Sequence, residues 1–296
     1  RGALPPRCGG ARWAGVSGPP GAGKGTLVAS VIRELRSQGR TVGVIAVDPS
    51  SPFSGGALLG DRDRMLESAS GDRGVFIRSI ASRGASGGLA AAVNDAVDVM
   101  DAMGKDVVVI ETVGVGQGEF EIAKIAHTVL LVLVPGYGDA LQAMKAGITE
   151  IADVVVVNKS DSPGADQTMN DLKAQGFSRV DPGGGRPWDV PVMKASALRH
   201  DGIAQLVGAL DRHHDFIAST QWKTTHERAR RHAQFIAIVN DRLREELYAL
   251  AGKTVNDQHL TDPYGAAEDF VQAALRAHHP LVPQSRVGDT LGVGKR

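Results

Sequence analysis

Short apolar runs rich in β-branched residues alternate with helix-periodic segments along the first two thirds of the chain. The runs predict strands at Trp13 to Val16, Thr41 to Val47, Val75 to Ile80, Asp106 to Ile110, Thr128 to Val134, Val154 to Val157 and Val190 to Lys194. Continuous apolar strands separated by helices are typical of a parallel sheet covered on both faces. The sequence therefore predicts an α/β fold with a mostly parallel, doubly wound sheet, whose ligands bind at the carboxyl ends of the strands.

The helix-periodic segments place apolar residues three and four positions apart. They predict helices at Thr26 to Gln38, Asp61 to Ala69, Gly88 to Met103, Ala140 to Ile151, Ile203 to Ile217, Thr225 to Leu250 and Tyr264 to Ala277. Past Gly202 the pattern is helical throughout, so residues 1–218 are predicted to form the sheet domain and residues 219–296 a helical extension. The long amphipathic helix of this extension packs either on its own chain or on a second copy.

A glycine-rich stretch, GPPGAGKGT at residues 18–26, follows the first predicted strand and opens the first predicted helix. Glycines let the backbone turn tightly and point successive N–H groups at an anionic phosphate. Lys24 adds a positive charge, and the helix that follows adds its unpaired N–H groups. The stretch is predicted to be a phosphate-binding P-loop, with contacts from Gly21, Ala22, Gly23, Lys24, Gly25 and Thr26.

Three carboxylates near predicted strand ends are candidates for holding Mg²⁺ or its water shell. Asp48 begins a long loop rich in proline and glycine, which is either functional or a surface excursion. Glu111 ends a buried-looking strand, as the acid of a Walker B motif does. Asp61 is either a third metal residue or only the N-cap of the helix that it begins.

The loop after the Walker B acid is rich in glycine. It can bring the N–H of Gly114 to a γ-phosphate and rearrange when that phosphate leaves. Gln117 is the candidate for positioning the attacking water, although an ordinary solvated glutamine fits the same position. The predicted catalytic residues are Lys24, Glu111 and Gln117.

Asn158-Lys159-Ser160-Asp161 follows a predicted buried strand and has the NKxD pattern by which GTP-binding proteins recognise guanine. The carboxylate accepts hydrogen bonds from N1–H and from the exocyclic amine of guanine, and adenine offers neither donor. Ser196-Ala197 matches a second guanine-contacting loop, in which a backbone N–H meets the base oxygen. The sequence thus predicts guanine binding by Asn158, Lys159, Asp161, Ser196 and Ala197.

Composition and charge narrow the class of protein. Lys plus Arg and Asp plus Glu each number 33, so the formal net charge is zero and no basic footprint for nucleic acid or membrane is present. The longest apolar run, before Pro135, is too short to span a bilayer. The single cysteine, Cys8, excludes an internal disulfide and favours a reducing, cytoplasmic setting. The chain begins with Arg1 rather than methionine, which is consistent with a trimmed N-terminus.

With these motifs identified, the chain resembles a known family over about residues 12–277. The resemblance rests on the P-loop and on DPSSPFSGGALLGDRDRM (48–65), ETVGVGQGE (111–119), LVLVPGYGDALQAMKAGITEIADVVVVNKSD (131–161) and DPYGAAE (262–268). These match the P-loop GTPases that act as chaperones of adenosylcobalamin-dependent acyl-CoA mutases, the methylmalonyl-CoA mutase-associated group once labelled arginine/ornithine transport kinases. The resemblance implies Mg²⁺-dependent GTP hydrolysis coupled to loading or protection of a cobalamin mutase, and a homodimer formed through the C-terminal helices.

Three positions depart from the family's pattern, and each departure removes a hydroxyl. Gly25 stands where the family has a metal-binding serine, Ala57 where a serine lies near the end of the switch loop, and Gly118 where a serine follows Gln117. The family's N-terminal helical region is also nearly absent. These departures predict altered Mg²⁺ affinity, turnover and partner coupling, with the fold and guanine binding little affected.

Three other functions fit parts of the sequence. The GKGT at residues 23–26 also occurs in small-molecule kinases. A preference for ATP over GTP would favour this function, whereas the NKSD stretch argues against it. A nickel-inserting GTPase needs a Cys/His metal site, which one cysteine and scattered histidines do not supply. The histidine pairs at 213–214 and 278–279 are predicted to be solvated, because adjacent histidines face different ways on a helix. A nucleotide-binding regulatory protein that has lost turnover is favoured by the three missing hydroxyls.

Overall fold

The computed structural model describes residues 10–48, 71–81, 86–112, 118–136, 148–179, 187–254 and 262–277. In this part of the chain the strands are β1 (Arg12–Ser17), β2 (Val42–Asp48), β3 (Val75–Ala81), β4 (Val107–Glu111), β5 (Thr128–Leu133), β6 (Val154–Val157), β7 (Ser178–Arg179), β8 (Trp188–Asp189) and β9 (Val192–Lys194). The α-helices are α1 (Lys24–Ser37), α2 (Ser86–Ala102), α3 (Gly118–Ile125), α4 (Ala165–Gln175), α5 (Ile203–Ala218), α6 (Trp222–Thr254) and α7 (Pro263–Ala277).

Seven strands form one sheet in the order β3-β2-β4-β1-β5-β6-β9, and every pairing in it is parallel. The strands β7 and β8 form a small antiparallel pair. The chain adds β2 and β3 on one side of β1 and inserts β4 between β1 and β2. It then adds β5, β6 and β9 on the other side of β1. The predicted doubly wound parallel sheet is therefore confirmed.

Helices bury apolar side chains on both faces of this sheet. On one face α1 and α5 pack on β1, β4 and β5, and the buried residues Leu27, Val28, Val31, Ile32 and Leu35 form a stripe along α1. On the other face α2 and α3 pack on the same strands. Each fully buried leucine or isoleucine stabilises such a core by about 1.5–3 kcal/mol. The strands have apolar residues on both sides because both sides are covered.

The structure corrects several element boundaries. Helix α1 begins at Lys24 rather than Thr26, because the left-handed Gly23 turns the chain directly into the helix. The last sheet strand begins at Val192 rather than Val190, and the long helix runs from Trp222 to Thr254. Of the helix predicted at 140–151, residues 148–151 form a 3₁₀ turn and residues 140–147 lie outside the described residues, as does the predicted helix at 61–69.

The sequence analysis did not predict α3, α4 or the β7–β8 pair. Helix α3 has only eight described residues, which is too few for a clear period. Helix α4 is mostly exposed and buries only Ala165 and Leu172, so its apolar stripe is too sparse to recognise.

A group of buried and half-buried polar and aromatic side chains lies at the amino ends of the strands, and we call it the amino-edge cluster. It contains Trp13, His127, Asp153, Arg179, Trp188, His213, Trp222, Glu227 and Arg230. The prediction of a solvated His213 is wrong, because α5 turns this side chain onto β5 and leaves it 0% exposed. Among the described residues no group of three or more His, Cys, Asp or Glu could hold a metal ion.

Packing divides the chain into two compact units, Arg1–Ile238 and Val239–Arg296. The sequence analysis placed its boundary after residue 218, where α5 ends, whereas the first unit also includes α6 as far as Ile238. The second unit contains the rest of α6 and α7, and it exposes the large apolar side chains of Leu243, Tyr248 and Tyr264. None of the described helices combines the length and the apolar character required to cross a membrane.

Candidate nucleotide-binding site

The glycine-rich stretch forms a tight turn between β1 and α1 at the carboxyl edge of the sheet. Gly18 has φ 142°, and a Cβ there would lie 2.1 Å from the carbonyl oxygen of Val132, so only glycine lets the turn pass this close to β5. Gly21 and Gly23 have φ 78° and 79°, the left-handed region that glycine enters without strain. The result is a strand, a tight loop and a helix N-terminus, which is the geometry of a P-loop.

Lys24 is the first residue of α1, and its side chain folds back over the loop. Its Nζ donates to the carbonyl oxygens of Gly18 and Pro19 at 2.8 and 3.1 Å, and the residue is largely buried. The ammonium group therefore lies among backbone atoms of the loop, where it can neutralise an anion bound to the loop N–H groups.

Asn158 connects the P-loop with the loop at residues 195–201. Its Nδ2 donates to the carbonyl oxygen of Ala22 at 2.9 Å, and its Oδ1 accepts from the N–H of Ala197 at 3.2 Å. The residue is only 2% exposed. Both ends of its amide thus hold backbone of other loops, so Asn158 positions the site.

Lys159 makes a second connection to the P-loop. It has φ 55°, a left-handed conformation that is unfavourable for a residue with a side chain, and its Nζ donates to the carbonyl oxygen of Gly21 at 2.9 Å. Such strained residues cluster at functional sites, where the surrounding structure holds them in place.

Asp161 is held as an ionised acceptor. The hydroxyl of Ser196 donates to its Oδ1 at 2.6 Å, and Nε of Arg199 lies 3.9 Å from its Oδ2. The Ser196 hydrogen bond, followed by a backbone hydrogen bond, lowers the pKa of Asp161 below its ordinary value. The carboxylate can therefore accept hydrogen bonds from a ligand at neutral pH.

The loop that carries Ser196 and Ala197 is held by backbone and side-chain hydrogen bonds. The N–H and the carbonyl oxygen of Ser196 pair with Asp201, and the hydroxyl of Ser30 on α1 donates to the carbonyl oxygen of Ala197 at 3.0 Å. Because the N–H of Ala197 already donates to Asn158, a base oxygen at this loop would share that donor. The predicted contact between this loop and the base stays a prediction.

Glu111 ends β4 and lies beside Val16 of β1 and Ala46 of β2 in the sheet. It is 5% exposed and faces the same cleft as Lys24, Thr26 and Thr112. Carboxylate and hydroxyl oxygens are the hard ligands that Mg²⁺ prefers, so this donor set fits the ion. Since the described residues contain no complete metal-binding group, Mg²⁺ would take its other ligands from water and from phosphate oxygens.

The remaining predicted metal and phosphate residues are less fully described. Asp48 is the last residue of β2 and pairs with Ala81 at the carboxyl edge of the sheet. Asp61, Gly114 and Gln117 lie outside the described residues.

One cleft of about 770 Å³ brings most of the predicted site together, and its volume suits a small-molecule ligand. It is lined by Pro20, Gly21, Gly23, Lys24, Gly25, Thr26, Glu111, Thr112, Asn158, Lys159, Asp161, Ser162, Ser196, Ala197 and Leu198. Ala22 is buried behind the wall and takes part through its carbonyl oxygen. The sequence analysis missed Pro20, Thr112, Ser162 and Leu198, although each lies within or directly beside a recognised motif.

A parallel sheet with a P-loop after its first strand, at the carboxyl edge where the cleft opens, defines a P-loop NTPase. The family described as "Methylmalonyl Co-A mutase-associated GTPase MeaB" matches residues 2–251. The chain belongs to this family, and the resemblance seen in its motifs is confirmed.

Individual relatives agree with this assignment. A provisionally described GTPase of Pyrococcus abyssi (strain GE5 / Orsay) is 44% identical over 277 residues, covering 91% of this chain and 85% of that protein. The "Methylmalonic aciduria type A homolog, mitochondrial" of Mus musculus is 48% identical over 147 residues, 50% of this chain and 35% of the mouse protein. The solved structure of a "LAO/AO transport system kinase" superimposes with a TM-score of 0.63 at 25% identity, covering 95% of this chain and 80% of that one.

Proposed function

We propose that the protein binds GTP in the carboxyl-edge cleft, hydrolyses it to GDP and phosphate, and thereby assists an adenosylcobalamin-dependent acyl-CoA mutase. The observation that carries the nucleotide part is that one cleft contains both the P-loop and the carboxylate of Asp161. A phosphate-binding loop alone would accept any nucleotide. A fixed carboxylate acceptor in the same cleft favours a base with adjacent N–H donors, which is guanine.

Each part of the nucleotide has proposed contacts. The phosphates bind the N–H groups of residues 21–26 and the ammonium group of Lys24. Asp161 accepts from N1–H and the exocyclic amine of guanine, while Asn158 and Lys159 keep the base loop next to the P-loop. Gly114 and Gln117 retain their predicted roles at the γ-phosphate and at the attacking water.

Glu111 and Asp48 would hold Mg²⁺ or its water shell, with Asp61 as a further candidate. When bound, the ion supplies positive charge that neutralises the phosphate oxygens as the bond to the leaving group breaks. Positioning and electrostatic stabilisation account for most of the rate in this type of reaction, so the protein needs no covalent step.

The test of the base assignment is Asp161→Asn, with GDP, xanthosine diphosphate and ADP compared by calorimetry. Xanthine has a carbonyl oxygen in place of the guanine amine, and the asparagine amide can donate to it. We expect about 100-fold weaker GDP binding in this variant and a switch of preference to xanthosine diphosphate. The control is Asp171→Asn, an exposed carboxylate on α4, which should bind GDP as the wild type does. Wild-type protein that prefers ADP would contradict the proposal and revive the small-molecule kinase.

The proposed partner is a methylmalonyl-CoA-type mutase, and support comes from the family description and the mouse relative. We further propose that residues 219–296 form a homodimer, since the exposed Leu243, Tyr248 and Tyr264 would be buried by a second copy. Sedimentation tests the dimer, and GTP hydrolysis with and without added mutase tests the coupling. Turnover that the mutase leaves unchanged would remove the support for a chaperone role. The cytoplasmic setting remains a prediction.

A regulatory protein with weak turnover is the second candidate, and Gly25 favours it. The position lines the cleft at the start of α1 but has no hydroxyl to offer a metal ion. If this lost ligand limits turnover, Gly25→Ser should raise Mg²⁺-dependent hydrolysis, whereas Gly25→Ala, which gives a similar gain in helix propensity, should not. Equal rates in the wild type and both variants would show that the hydroxyl is not limiting.

A further inference from the structure

His200 has a backbone conformation that is unfavourable for a residue with a side chain. Among the described residues other than glycine, only His200 and Lys159 have a positive φ, and that of His200 is 59°. Lys159 lines the cleft, whereas His200 lies outside its lining. A histidine keeps a left-handed conformation when the contacts around it offset the strain. The contacts of the His200 ring are therefore the place to look for its role.

The imidazole of His200 contacts α1, the helix that begins at the P-loop. Its Nδ1 lies 2.8 Å from the hydroxyl of Ser30, and its Nε2 lies 3.4 Å from Oε2 of Glu34. Ser30 and Glu34 are four positions apart on α1 and so lie on the same face of the helix. Both nitrogens of the ring thus face α1.

The hydroxyl of Ser30 determines the direction of the first contact. Ser30 is 0% exposed, and its single hydrogen is donated to the carbonyl oxygen of Ala197 at 3.0 Å. Nη2 of Arg33 donates to the same hydroxyl oxygen at 3.2 Å. Because no hydroxyl hydrogen remains, Nδ1 of His200 is the donor in its hydrogen bond with Ser30. One buried hydroxyl on α1 therefore holds the loop at both Ala197 and His200.

The loop that carries Ser196 and Ala197 is attached to two parts of the cleft. The hydroxyl of Ser196 donates to Asp161, and the N–H of Ala197 donates to Asn158, which attaches the loop to the residues proposed to recognise guanine. The carbonyl oxygen of Ala197 and the ring of His200 attach it to α1. His200 thus connects the part of the cleft proposed to bind the base with the helix that begins at the phosphate-binding loop.

We propose that His200 is a positioning residue of the nucleotide site, which holds the loop at residues 195–201 on α1 in the conformation that binds guanine. This role rests on the proposed function, since it requires a guanine nucleotide in the cleft. A loop that is fixed in advance loses little entropy when the base binds, so the contacts of His200 raise the affinity for guanine. The phosphates bind residues 21–26, whose contacts do not involve this loop. ADP, which would bind mainly through its phosphates, should therefore gain little from His200.

The experiment compares wild type, His200→Gly, His200→Asn and His232→Asn by calorimetric titration with GDP and ADP. Glycine removes both ring contacts, so we expect His200→Gly to weaken GDP binding about fivefold and to leave ADP binding unchanged. Asparagine tolerates the left-handed conformation and has an amide N–H that can replace that of Nδ1. His200→Asn should therefore bind GDP within about twofold of wild type. His232 is exposed on α6, and its variant is the control that should bind as wild type.

Urea unfolding without nucleotide separates this role from a general contribution to the fold. Glycine adopts a positive φ without strain, which offsets the hydrogen bond that His200→Gly loses. The hydroxyl of Ser30 also keeps its contacts with Ala197 and Arg33. The midpoint of urea unfolding should therefore stay close to that of wild type while GDP binding weakens. A midpoint that falls together with the affinity would show that His200 supports the fold rather than the site.

A double-mutant cycle tests whether His200 acts through Ser30. In the Ser30→Ala background the hydroxyl is absent, so adding His200→Gly should weaken GDP binding by less than about twofold more. A glycine that acted only by making the loop more flexible would have its full effect in both backgrounds. A fivefold loss in both backgrounds would therefore overturn the proposed link.

Three results of the titrations would also overturn the role of His200: unchanged GDP affinity in His200→Gly, equal losses for GDP and ADP, or no recovery in His200→Asn. Wild-type protein that binds no guanine nucleotide would overturn the proposed function itself. Wild-type protein that binds GDP, with a His200→Gly variant that binds it equally well, would overturn only this inference.

Discussion

The two edges of the sheet both collect polar side chains, yet they use them in opposite ways. At the carboxyl edge the polar groups line an open cleft and the backbone adopts left-handed conformations at Gly23, Lys159 and His200. At the amino edge α5 and the first part of α6 cover the polar groups, which pair with one another and with aromatic rings. The carboxyl edge is therefore arranged to bind a ligand, and the amino edge to hold the fold together.

The amino-edge cluster shows how a buried charge is accommodated. The guanidinium of Arg230 lies 4.7 Å from the ring centroid of Trp13, which stacks on His127 at 4.0 Å. The same guanidinium donates to Asn94 at 2.8 Å and to Asp98 at 3.0 Å, both on α2. A cation that is almost wholly buried is thus neutralised by a carboxylate and contacts an aromatic face.

The largest expected effect comes from removing this buried cation. Arg230→Ala removes the cation that pairs with Asp98, and breaking a buried pair in this way costs about 3–5 kcal/mol of unfolding free energy. Urea unfolding measures the loss. Arg242→Ala, on an exposed part of the same helix where the side chain is 72% exposed, should change stability by less than about 1 kcal/mol. The folded fraction of Arg230→Ala should bind GDP as the wild type does. Weaker GDP binding would show that the amino edge also contributes to the nucleotide site.

Removing the cation at the opposite edge should have the reverse outcome. Lys24→Ala is expected to weaken GDP binding about 100-fold, since a charge-assisted contact to the phosphates is lost. Its unfolding free energy without nucleotide should fall by about 1–3 kcal/mol, less than in Arg230→Ala, because the buried carbonyl oxygen of Gly18 loses its donor. Titration calorimetry and urea unfolding measure the two quantities. Lys173→Ala on the exposed face of α4 is the matched control.

A smaller effect is expected from acid, and it should originate at the amino edge. Burial lowers the pKa of His127 to about 4 and that of His213 to about 3, from 6.5, and raises the pKa of Asp153 to about 6. His127 faces Glu227, and His213 faces Asp153 at 3.4 Å. Below pH 6.5 the unfolded chain takes up two histidine protons that the folded protein excludes, so stability falls.

Asp153 opposes this trend, because its pKa is higher in the folded protein than in the unfolded chain. Below about pH 6 the folded protein therefore binds a proton at Asp153 that the unfolded chain does not, which favours the folded state. His214, whose pKa burial also lowers, adds to the effect of His127 and His213, so the histidines outweigh Asp153 and the unfolding free energy should fall between about pH 6 and about pH 4. Urea unfolding across this range measures the slope. His213→Asn should flatten it, and His232→Asn, on the exposed surface of α6, should leave it unchanged. An equal slope in all three proteins would place the acid sensitivity elsewhere.

The motifs of the site could be predicted because their physical requirements are local. A P-loop needs glycines and a lysine within nine consecutive positions, and residues 18–26 supply them. Gly18, Gly21 and Gly23 adopt the positive φ angles that the tight turn requires. The bridging role of Asn158 could not be predicted in this way. Its amide joins Ala22, 136 positions earlier, to Ala197, 39 positions later, and only the parallel order of strands brings the three together.

By itself, the sequence determined most of the sheet and helix pattern, the P-loop, the NKSD loop at residues 158–161 and the family, because strand character, helical period and turn chemistry depend on neighbouring residues. The tertiary structure alone decided that His213 is buried, that Arg230 pairs with Asp98 and that Leu198 is exposed in the cleft. Burial and pairing depend on which distant segments the fold places around a side chain. Residues of the same type can therefore be exposed to solvent at one edge of the sheet and buried at the other.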